Sequence, residues 1–213
     1  MRIFINANAE QEKEINSKII DEKMEITFGR ELPGIIEHKN FDAFFILDEN
    51  IENVNFSGFE DKPVFINSVI EPLSQLQLPK NVSRINGWNG FLQRDIWEVV
   101  SDDKIATGKF FNEAGWKVIF VKDVPGMVAA RVICMIINEA FYALKEKVSA
   151  KEEIDLAMKL GTNYPYGPLE WADKIGLENV FNLLKKLSEN DERCIPSFSI
   201  DKMSADINRR NDN

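Results

Sequence analysis

Few residues of this chain have the type and spacing to do chemistry. The turn Asn6-Ala7-Asn8-Ala9-Glu10-Gln11 follows the apolar run Ile3-Phe4-Ile5 and leads into a polar, helix-forming stretch. A strand feeding straight into a helix presents backbone N–H groups to a phosphate, and glycines at the turn let the backbone approach closely. This turn has no glycine, so Asn and Ala side chains stand where that approach would occur. His38, the single histidine, is the only imidazole available to carry a proton near neutral pH; its segment predicts an ordinary surface residue. Cys134, within the apolar run Val132–Ile137, and Cys194, near the tail, form neither a disulfide framework nor a zinc site, as expected of a reduced cytoplasmic chain. Met1-Arg2-Ile3 does not predict a signal peptide, because the apolar run is short and acids soon follow. The glycosylation patterns at Asn55 and Asn81 therefore carry no weight.

The elements that must position such residues change in texture along the chain. With 213 residues, 44% of them hydrophobic and 29% charged, the chain can bury one large core or two modest ones. A net charge of −9 argues against nucleic acid or an anionic membrane surface as partner. No apolar run approaches the length of a membrane span. Before Asp123, short runs rich in β-branched and aromatic residues predict strands at Ile3–Ile5, Glu25–Phe28, Ala43–Leu47, Pro63–Ile66 and Lys117–Val121. Glu10–Asp21 and Ile105–Ala114 predict helices between them. That alternation implies an α/β fold with a mainly parallel sheet, trimmed in places, since Gly29–Asn40 is short for a crossover helix. The domain is expected to span 1–122.

From 123 to 213 the pattern is all helical. Met127–Lys147 is apolar almost all round at its centre and predicts a buried helix. Ser149 with Glu152 predicts a capping box, Gly161 a helix end, Pro168 a first-turn proline and Gly176 another helix end. Glu178–Leu187 predicts a helix with Val180, Phe181, Leu184 and Leu187 on one face. The final SADINRRNDN is expected to fray.

A resemblance enters at the junction Asp123-Val124-Pro125-Gly126. The strings KDVPGMVAARV, INEAFYAL and SAKEEIDLAMKLGTNYPYGPLEWADKIGLENV resemble the start of the C-terminal domain of 3-hydroxyacyl-CoA dehydrogenases. Family members read D-T-P-G-F-I-x-N-R, then N-E-A, then E-x-I-D-x-A-M-x-x-G and P-x-G-P-x-x-x-x-D-x-x-G-L-D. The first domain is similar to theirs by topology alone. The resemblance implies a Rossmann-like first domain, NAD as cofactor, a 3-hydroxyacyl thioester as substrate and a homodimer held through the helical domain.

In that family a histidine paired with a glutamate removes the hydroxyl proton, within R-F-x-G-x-H-F-F-N-P and a following V-E-V-V-like strand. Here Arg84-Ile85-Asn86-Gly87-Trp88-Asn89-Gly90-Phe91 and Ile96-Trp97-Glu98-Val99-Val100 align Glu98 with the glutamate but place Asn89 at the histidine. An amide has no usable basicity near neutral pH, so Asn89 cannot serve as general base. Asn67-Ser68 resembles the pair that hydrogen-bonds substrate. The asparagine of the junction motif falls at Ala130, and the acid that would hold the adenosine ribose is missing near Phe28-Gly29. Each position also has a structural reading. Glu98 reads equally as an exposed residue on an edge strand, Asn67-Ser68 as turn chemistry and Tyr164–Pro168 as a stiff loop. Met127–Lys147 is expected to offer a stripe of Ile133, Ile137 and Phe141 to a twofold partner.

Three functions follow from these residues. The chain is an oxidoreductase with a rebuilt site, a non-catalytic relative that binds an acyl-CoA-like molecule, or a dimeric structural or regulatory protein. Loss of base, glycine turn and ribose acid together weighs against NAD binding and catalysis.

Overall fold

The computed structural model describes residues 1–18, 23–34, 37–48, 50–59, 61–197 and 199–200. The chain divides into two compact units, Met1–Met127 and Val128–Asn213.

The first unit is built on strands β1 (Arg2–Asn6), β2 (Glu25–Gly29), β3 (Ala43–Ile46), β4 (Val64–Asn67), β5 (Val82–Ile85), β6 (Ile96–Val100) and β7 (Lys117–Phe120). Helices α1 (Ala9–Asn16), α2 (Leu73–Leu76) and α3 (Lys104–Glu113) connect them. The strands form one sheet in the order β2-β1-β3-β4-β5-β6-β7, parallel throughout except between β5 and β6. Both faces are apolar, as a sheet covered on both sides requires. Alternation along β3 sends Phe45 to a cluster with Ile5, Phe65, Trp97 and Phe111, and Phe44 to one with Phe4, Phe59 and Ile66.

Sequence patterning did not predict β5. Its run Val-Ser-Arg-Ile carries a charge at Arg84, which is wholly buried. Helix α1 starts one residue before the predicted helix, and residues 19–21 of that prediction lie outside the described residues. His38 is not a surface residue. It is 4% exposed, its ring centroid is 4.0 Å from that of Phe59, and its Nε2 is 2.8 Å from the Pro33 carbonyl oxygen. The aromatic cluster around it supplies apolar contacts that patterning of a lone polar residue does not reveal. Glu98 is half-buried on β6, which pairs on both sides and is not an edge strand.

The helical unit holds α4 (Ala129–Lys145), α5 (Lys151–Thr162), α6 (Pro168–Ile175) and α7 (Leu177–Ser188). Helix α4 packs on α6 and α7, and α5 on α6. Ile133, Ile137 and Phe141 are buried in the single chain, so this stripe is not available to a partner. Asn138 accepts from the Ser197 N–H and donates to the Ile195 carbonyl, fastening the chain beyond α7. The α5 cap lies one residue beyond the predicted box. The Glu153 carboxylate accepts from the Ala150 N–H at 3.2 Å and from the Ser149 hydroxyl. Helix α5 runs past Gly161 and ends at Asn163, whose φ is 54°. Pro168 opens α6, and Gly176 separates α6 from α7 with φ 87°, a conformation that favours glycine. The buried side chains of α7 are Val180, Leu183, Leu184 and Leu187, while Phe181 is half-exposed. The segment SADINRRNDN lies outside the described residues.

Candidate functional site

In open α/β sheets ligands sit outside the carboxyl ends of the strands, at the point where strand order reverses. Here β1 lies between β2 and β3, which puts that point at the β1–α1 turn. Asn8 caps α1: its Oδ1 accepts from the N–H groups of Glu10 at 3.1 Å and Gln11 at 3.0 Å. Gln11 returns the bond, its Oε1 accepting from the Asn8 N–H at 2.8 Å. This reciprocal box satisfies amides that a free helix start would direct at an anion. The Asn8 side-chain amide also donates to Asp48 Oδ1 at 3.3 Å, so a carboxylate stands beside the turn. Asn6 donates to the Arg30 carbonyl and accepts from the Asp48 N–H. Gln11, 2% exposed, donates to the carbonyls of Leu47 and Gly87 at 3.2 and 2.8 Å. The turn is thereby sewn to the ends of its neighbouring strands.

The residues singled out in sequence gather at this same edge. Asn67, at the end of β4, donates to the Leu47 carbonyl at 3.0 Å and accepts from the Gly87 N–H at 3.0 Å. A Cβ on Gly87 would lie 3.0 Å from Asn67 Cβ and Cγ, so glycine is what permits this approach. Ser68 donates through its hydroxyl to the Glu71 carbonyl at 2.9 Å. Both side chains hold backbone. Asn89 follows β5 with its Oδ1 buried and accepting no hydrogen bond. The loop after it is pinned by Glu14, 4% exposed, whose carboxylate accepts from the N–H groups of Gly90 at 2.5 Å and Leu92 at 3.0 Å.

Arg84 fixes the rest of the edge. Its Nη1 donates to the carbonyls of Ser68 at 2.8 Å and Glu71 at 3.2 Å, its Nη2 to that of Val124 at 2.8 Å, and its Nε lies 2.8 Å from Asp123 Oδ1. Asp123 in turn accepts from the N–H groups of Leu73 and Ser74 at the start of α2. Burial pushes the Arg84 pKa down, and Asp123 and Glu71 draw it partly back. Sequence patterning missed Gln11, Glu14 and Arg84. Their shared signal is a polar residue inside or beside an apolar run, which by itself does not say what it bonds. Among the described residues no group of three or more His, Cys, Asp or Glu is placed to hold a metal ion.

Residues 126–209 match the family model of the 3-hydroxyacyl-CoA dehydrogenase C-terminal domain. The chain belongs to the 3-hydroxyacyl-CoA dehydrogenase family. Over 89 residues, 41% of the chain, it is 42% identical to 3-hydroxyadipyl-CoA dehydrogenase of Escherichia coli K12, covering 19% of that protein. A longer alignment, 155 residues and 68% of the chain, is 31% identical to 3-hydroxybutyryl-CoA dehydrogenase of Clostridioides difficile and covers 53% of it. The matches thus span between a fifth and about half of these relatives. Among solved structures, (S)-3-hydroxybutyryl-CoA dehydrogenase from Ralstonia eutropha superposes with a TM-score of 0.66 at 26% identity, covering 84% of this chain and 70% of that one. The 3-hydroxybutyryl-CoA dehydrogenase of E. coli K12 shares the fold, with a TM-score of 0.63 over 83% of this chain and 41% of that one.

Proposed function

We propose that this family member does not carry out NAD-dependent oxidation of a 3-hydroxyacyl-CoA and retains the capacity to bind an acyl-CoA-like molecule. The observation that carries this reading is the Asn8 cap. The N–H groups that would meet the cofactor's pyrophosphate are already bonded. The residues present therefore do not fit NAD. Asn89 supports the same reading, since its amide accepts no proton near neutral pH. Glu98 remains as a half-buried carboxylate without the imidazole that family chemistry requires. Two free, buried thiols, Cys134 and Cys194, suit a reducing cytoplasm.

The test is an assay for NADH with 3-hydroxybutyryl-CoA and NAD, together with thermal shifts under CoA thioesters. The expected outcome is no cofactor-dependent rate, no stabilisation by NAD and a raised melting temperature with a CoA thioester. Robust NADH formation that disappears in Glu98→Gln would overturn the reading.

A further inference from the structure

No further inference is drawn: the strongest candidate, the sheet-face patch of β6 and β7 on which Ile96 and Ile119 stand half exposed, carries nothing, because nothing among the described residues shows what covers it.

Discussion

Asp123 serves three masters: it caps the Leu73 and Ser74 N–H groups and pairs with a wholly buried Arg84. Burial alone would raise its pKa. The N–H bonds from Ser74 and Leu73, the Ser74 side chain and the Arg84 charge outweigh that, and hold the carboxyl below its ordinary range. A depressed acid stabilises the fold above its unfolded pKa, about 4, and that stabilisation is lost as pH falls through the folded value. Asp123→Asn leaves Arg84 buried and uncompensated, so a loss of about 3 kcal/mol is expected at neutral pH. Urea unfolding of wild type and variant at pH 7 and pH 3 checks this. The gap should narrow at the lower pH, because wild-type Asp123 is itself becoming protonated; an equal gap at both would show that its charge does not matter.

At the scale of elements, α5 and α6 are joined by an acid and a glycine. The buried Asp155 carboxylate accepts from the Leu169 N–H at 2.7 Å in the first turn of α6. Burial holds its pKa above the ordinary value despite that bond. A Cβ on Gly167 would lie 2.3–2.4 Å from Asp155 atoms, too close for any non-glycine side chain without moving backbone. Gly161, by contrast, has no atom within 4 Å of its would-be Cβ and sits inside α5. Gly167→Ala is expected to destabilise by roughly 1–3 kcal/mol through overpacking, and Gly161→Ala to stabilise by about 0.5–1 kcal/mol through helix propensity. Chemical denaturation of the two variants reads opposite signs. Equal effects would mean that the close approach at Gly167 is relaxed at no cost.

At the scale of the whole molecule, we propose that two copies associate through the helical unit. The apolar surface that supports this is on α5, where Leu156 and Leu160, one turn apart, are 54% and 78% exposed. Val132 on α4 adds a further half-exposed side chain. Sedimentation at tens of micromolar is expected to give a dimer for wild type and a folded monomer for Leu160→Glu. A wild-type monomer under those conditions would sink the proposal, as would a Leu160→Glu dimer of unchanged strength.

The sequence by itself determined the fold class, a mainly parallel sheet followed by helices, because strand and helix periods and their glycine and proline boundaries are local properties. It also determined the family, through the dense run from Asp123 to Leu177. Tertiary structure alone decided the partners of the polar residues. Hydrophobic periodicity does not distinguish an Arg84 that clamps carbonyls on two loops from one that faces water, so β5 escaped the pattern. His38 was expected outside and lies among phenylalanines, because burial depends on what the fold brings over a residue. The stripe Ile133, Ile137 and Phe141 was expected to await a partner, and the chain buries it itself.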